Sequence, residues 1–181
     1  MCIDSCTAFV GPYADLDTCP ECSEARFDQQ WQNRGNKHPH AVFHTIPIGP
    51  QLQALWQHPE STEKMHYCRN KTQQILDTLL IDDCLVNMYD DIFCGSAYLQ
   101  GVYNGTITPD DTLHMISIDG AQLFKSKESD CWIYIWIILE LLPDHRYKKK
   151  HVLPGAIIPG LKKLKFIESF LSLGLLNVQL T

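Results

Sequence analysis

The stretch TLHMISIDGAQLF, Thr112–Phe124, decides how this chain is read. Its apolar residues Leu113, Met115, Ile116 and Ile118 lead to one carboxylate, Asp119, and Gly120 follows at once. The run reads as a strand over Leu113–Ile118 with an acid at its tip. Desolvating an unpaired aspartate is costly, so this one belongs at a sheet edge, beside a partner, or on a cation. Two readings stand at this point. Asp-Gly is a common turn former, and a strand-end carboxylate is also a ligand suited to a hard cation such as Mg²⁺ or Mn²⁺.

Working outward, a polar turn over Lys125–Ser129 leads to CWIYIWIILELLP. There Trp132, Tyr134 and Trp136 alternate with Ile133, Ile135 and Ile137, which marks a strand covered on both faces. A third strand is expected over His151–Ile158. Short connections make the three an antiparallel meander. Upstream, Thr108-Pro109-Asp110-Asp111 is a turn, and a helix through Tyr98, Leu99 and Val102 closes at Asn104-Gly105. Apolar residues at three- and four-residue steps predict one helix from Glu60 to Leu80, with Pro59 at its start. Leu52, Leu55 and Trp56 share a helical face before it. AVFHTIPIGP reads as a short extended segment, and DQQWQNRGNKHPH as a loop or linker.

The chain has 181 residues and eight cysteines. Four of those form Cys2-x3-Cys6-x12-Cys19-x2-Cys22, the spacing of a tetrahedral zinc site built from two knuckles. Four thiolates would leave the ion no open position, so such a zinc is structural. Two disulfides are the competing explanation, and His38, His40 and His44 are either further ligands or polar loop residues. Cys68, Cys84, Cys94 and Cys131 lie in apolar segments and read as small core residues.

A composition of 45% hydrophobic and 20% charged residues is that of a globular protein. The formal charge of −6 excludes a surface coated in basic residues. Arg146, Lys148, Lys149, Lys150, Lys162, Lys163 and Lys165 nevertheless lie in an interval without acids, while Asp82-Asp83, Asp90-Asp91 and Asp110-Asp111 lie upstream. The run is either a solvated lysine face or a site for a polyanion. The opening MCIDSC lacks the basic and apolar stretches of a secretory signal. The most apolar run is shorter than the about 20 residues a bilayer requires. An intracellular chain with reduced thiols and no membrane partner is the expectation.

Several ordered stretches together resemble one family. They are CIDSCTAFVGPYADLDTCPEC, IPIGPQLQALWQHPES, MYDDIFCGSAYL, SIDGAQLF with the following SDCWIYIW, and LPDHRYKKKHVLPGAIIPG. In these the chain is similar to the N-terminal part of the Tnp2-family transposases of CACTA-type (En/Spm-like) DNA transposons, in their fungal form. The resemblance implies a mixed α/β fold. A zinc-ribbon-like, zinc-binding module would cover residues 1–30, and an extended and helical region residues 31–108. Residues 109–181 would form the first antiparallel strands of an incomplete RNase H-like (DDE) domain. Asp119 would then be the first catalytic acid and a ligand for Mg²⁺ or Mn²⁺ in two-metal phosphoryl transfer. Arg146, Lys148, Lys149 and Lys150 would contact DNA phosphates at transposon ends, in the nucleus, and a homo-oligomer is left open. The second and third acids are not identifiable, so a fragment inactive by itself is expected. The alternative is a non-catalytic, zinc-dependent module binding DNA or protein. Leucines in IPGLKKLKFIESFLSLGL, where the family has prolines, imply a decayed or truncated copy.

Overall fold

The computed structural model describes residues 1–32, 34–81, 88–122, 130–160 and 162–178. The turn expected over Lys125–Ser129, the Asp82-Asp83 pair and Cys84 lie outside them. In chain order the helices are α1 (Gln29–Gln32), α2 (Ile48–Gln57), α3 (Pro59–Lys64), α4 (Tyr67–Ile81), α5 (Ser96–Tyr103), α6 (Pro143–Arg146) and α7 (Ile167–Val178). The strands are β1 (His44–Thr45), β2 (His114–Gln122), β3 (Asp130–Ile138) and β4 (Val152–Pro159). They form a four-stranded antiparallel sheet in the order β1-β4-β3-β2. The consecutive strands β2, β3 and β4 are therefore neighbours, as a meander requires. The short β1 pairs only His44 with Ile157 and Thr45 with Ala156, which leaves Pro154, without an amide proton, beyond that ladder.

Two compact units are assembled from separated stretches. The first takes residues 1–51, 117–135 and 154–181, and the second residues 52–116 and 136–153. This differs from the contiguous division read along the sequence, because each of the three long strands contributes residues to both. The segment that reads as a loop or linker, residues 28–40, is tied to its flanks. Phe27 bridges Pro39, the Asp28 N–H donates to the His38 carbonyl (2.9 Å), and the His40 N–H donates to that of Arg26 (3.1 Å).

In the second unit the end of β3 lies between two apolar clusters. Leu139, just past the strand, joins Cys68, Ile75, Phe93 and Cys94, with Leu113, just before β2, and Met115 of β2 against them. Ile138, one residue earlier and so on the opposite face, packs with Met65, Leu141, Leu52 and Leu55. Apolar cover on both faces is what the alternation of aromatic and β-branched residues in β3 predicts.

The helix expected from Glu60 to Leu80 is two helices. Met65 is buried and leaves helical geometry at φ −90° and ψ 34°. The Tyr67 N–H then donates to the Glu140 carbonyl (3.2 Å), not back into α3. A tertiary partner and a buried methionine thus override a continuous helical pattern.

Glu140 itself is 4% exposed, and its Oε1 accepts the Leu113 N–H at 3.0 Å. Burial holds its carboxyl above the ordinary glutamate range, against the pull of that N–H and of Arg146. A raised folded pKa gives stability that is complete below the unfolded value and is lost as pH rises through the folded one. Glu140→Gln keeps the acceptor and removes the ionisation. The variant is therefore expected to gain stability over the parent as pH rises from about 5 to about 8. Urea unfolding at both pH values checks this, and an equal difference at the two contradicts it.

Candidate metal centre

Four cysteines, Cys2, Cys6, Cys19 and Cys22, bring their Sγ atoms within 4.8 Å of one another. Cys2, Cys6 and Cys19 are buried. The Cys2 and Cys22 sulfurs are 3.5 Å apart. Zinc–sulfur bonds of about 2.3 Å in a tetrahedron set sulfurs about 3.8 Å apart, so the donor set fits a structural zinc. Pairing into two disulfides needs only pairwise approach, whereas here four sulfurs converge on one point.

The local chain folds to make this happen. In the first knuckle the Cys2 N–H donates to the Thr7 carbonyl (2.9 Å) and the Ser5 N–H to that of Cys2 (3.1 Å). In the second the Cys19 N–H donates to Glu24 (2.8 Å) and the Ser23 N–H to Cys19 (2.9 Å), inside a hairpin closed by the Thr18–Ala25 bridge. Among the described residues, positive φ outside glycine occurs at Ser5 (58°) and Ser23 (61°), one in each knuckle. Left-handed serine costs energy and persists where surrounding contacts impose it.

The thiols differ electrostatically. Burial, then the neighbouring Cys22 and Cys19 thiols, push Cys2 up to about 11. Burial and the Cys22 thiol push Cys6 higher still. Cys19 is also desolvated, but the backbone N–H groups of Cys22 and Glu21 and the Thr7 hydroxyl outweigh this and bring it down to about 7. Crowded thiols resist joint ionisation, and a divalent cation reverses that resistance.

The knuckles also hold the chain's distant end. The Cys6 carbonyl accepts the N–H groups of Phe166 (3.0 Å) and Lys165 (3.3 Å), and the Ala8 N–H donates to Ser169 Oγ (2.8 Å). Ser5 Oγ donates to the Pro159 carbonyl at 3.2 Å. Gly160, at φ +153°, lies so close that an added Cβ would stand 2.8 Å from Ser5 Cβ. His38 lies against Trp31, with ring centroids 5.8 Å apart, and is not part of the four-sulfur group.

Asp119 falls elsewhere in the first unit. The strand continues past it to Gln122, so Asp-Gly is extended backbone and not a turn. The reason is on the neighbouring strand. A Cβ at Gly120 would meet the Trp132 ring at 3.7 Å, so the indole covers the bare glycine and the ladder continues. Asp119 is exposed on β2, the strand at the end of the sheet order, and its Oδ1 accepts the Gly120 N–H at 2.8 Å. Among the described residues it belongs to no group of three or more metal-ligating side chains. One exposed carboxylate does not fit a two-ion Mg²⁺ or Mn²⁺ centre.

The basic run divides. Lys148, Lys149 and Lys150 are exposed. Arg146 is not a surface cation, contrary to the expectation that it contacts DNA. It is 1% exposed and forms a two-point ion pair with Asp91, with Nη1–Oδ1 and Nη2–Oδ2 both 3.1 Å. Its Nε donates to the Leu141 carbonyl at 3.0 Å. Asp91, missed in the sequence, is the partner that brings it inward.

No family model, curated protein or solved structure matches this chain. No helix among the described residues is long and apolar enough to cross a membrane.

Proposed function

We propose that this chain is a zinc-stapled, DNA-binding portion of a DDE-type transposase that does not cleave DNA by itself. The observation that carries the reading is the position of Asp119. It is an exposed acid on the first strand of the consecutive meander β2-β3-β4, at the edge of the sheet where a further strand would add. The four-cysteine group is in keeping with the module that the family resemblance implies. DNA, nuclear residence and a role at transposon ends belong to the same proposal. The competing reading, a non-catalytic zinc-dependent module binding DNA or protein, is favoured by the lack of partner acids around Asp119 among the described residues.

Duplex binding and cleavage, measured together over a salt series, test the proposal. Salt-sensitive binding is expected, and replacing Lys148, Lys149 and Lys150 with alanine should reduce the salt slope by about 3, near 0.9 per lost phosphate contact. No strand cleavage is expected with Mg²⁺ or Mn²⁺. Binding that ignores the three lysines would overturn the DNA reading. Metal-dependent cleavage abolished by Asp119→Asn would overturn the assignment of inactivity.

A further inference from the structure

The turn after α6 gathers more positive chemistry than its lysines alone. The Lys148 N–H donates to the His145 carbonyl (3.0 Å) and the His151 N–H to that of Lys148 (2.8 Å). This tight path stacks the His145 and His151 rings, with centroids 6.2 Å apart and planes 24° apart, beside the exposed Lys148 and Lys150. Lys64, the exposed last residue of α3, stands on a second element, next to Met65, which packs with Leu141 and Leu153 on either side of this turn. Burial, then the charges of Lys150, His145, Lys64 and Lys148, hold the His151 imidazole below the ordinary histidine range. Asp144, in the first turn of α6, is the acid on that element. The ion pairs among the described residues join Lys71 to Asp90, Arg146 to Asp91, Lys162 to Asp4 and Lys165 to Glu21, so none draws on this cluster.

We propose that Lys64, His145, Lys148, Lys150 and His151 form one site for the phosphodiester backbone of duplex DNA, which binds more tightly when His151 takes up a proton. This rests on the DNA reading above and adds its regulation. In the free protein, neighbouring cations oppose protonation of His151. A phosphodiester entering the cluster cancels their field, so the imidazole pKa rises and binding takes up a proton. Affinity then climbs as pH falls. The ligand keeps its charge across about pH 5–8, so the response belongs to the protein. Each imidazolium that meets a phosphate adds about 0.9 to the salt slope.

Fluorescence anisotropy with a short random-sequence duplex, at fixed salt and at about pH 8 and about pH 6, tests this. The parent protein should bind about 10-fold tighter at the lower pH, against a limit of about 10-fold per linked proton per pH unit. His145→Gln/His151→Gln should keep the affinity seen at the higher pH and lose that gain. Lys64→Ala should weaken binding at both. NMR titration of the unaltered protein should show the His151 ring pKa rising when duplex is added. A pH response shared by the double histidine variant, or a His151 pKa unmoved by DNA, overturns this inference and leaves lysine-dependent DNA binding standing. No salt-sensitive binding at either pH overturns the DNA reading, and the inference with it.

Discussion

Stripping the metal from the Cys2, Cys6, Cys19 and Cys22 site is expected to unfold the first unit around its knuckles. The cluster there consists of the four cysteines and Phe9, so little hydrocarbon would remain to hold it. Structural zinc contributes apparent binding energies of about 10–16 kcal/mol, while whole domains are stable by about 5–15 kcal/mol. The loss should spread along the bonds that leave the knuckles. The amides of Lys165 and Phe166 donate to the Cys6 carbonyl, and the Ser169 hydroxyl accepts the Ala8 amide. Hydrogen exchange with and without a chelator should show Ala8, Lys165 and Phe166 losing protection together. Cys19→Ser should reproduce the effect in the presence of zinc. Unchanged protection at those amides after chelation would mean that the knuckles hold without an ion.

Asp91→Ala is expected to cost about 3–5 kcal/mol, the penalty for leaving a buried cation without its partner. The side chains of Arg146 and Asp91 are 1% and 4% exposed. Asp91 also accepts the Tyr67 hydroxyl at 2.8 Å and the Ile92 N–H at 2.7 Å, and the guanidinium lies over the Tyr67 and Phe93 rings, 5.5 and 5.6 Å from their centroids. Arg146→Ala should be damaging for the same reason, since it strands a buried carboxylate. Replacing both together, as Asp91→Leu with Arg146→Met, should recover much of the loss, because apolar substitutes avoid desolvating two charges. Equilibrium urea unfolding of the singles and the double closes the cycle. A surface arginine at 146 would behave differently, with DNA affinity falling and stability moving by under about 1 kcal/mol.

The contrast between Arg146 and the four cysteines shows what sequence can carry. Cys2 with Cys6, and Cys19 with Cys22, are placed by turns a few residues long, so spacing alone announces the geometry. The strand β3 was legible for a similar reason, since alternation of large apolar residues is local. Arg146 sits in a run of lysines and reads like them, because the aspartate that buries it lies 55 residues earlier. The break between α3 and α4 was hidden likewise, since the carbonyl that takes the Tyr67 amide belongs to Glu140. At Asp119 the sequence located the strand but not its end. Asp-Gly favours a turn until a tryptophan on the next strand covers the glycine. No spacing in the sequence joins Lys64 to the stacked histidines, because only folding brings the end of α3 against Leu141 and Leu153.

Zinc K-edge X-ray absorption on the purified protein, combined with metal quantitation, addresses the four-sulfur centre most directly. One zinc per chain in a shell of four sulfurs at about 2.3 Å is the expected result. A metal-free protein with those cysteines joined as disulfides, or a zinc shell containing nitrogen or oxygen, would contradict it.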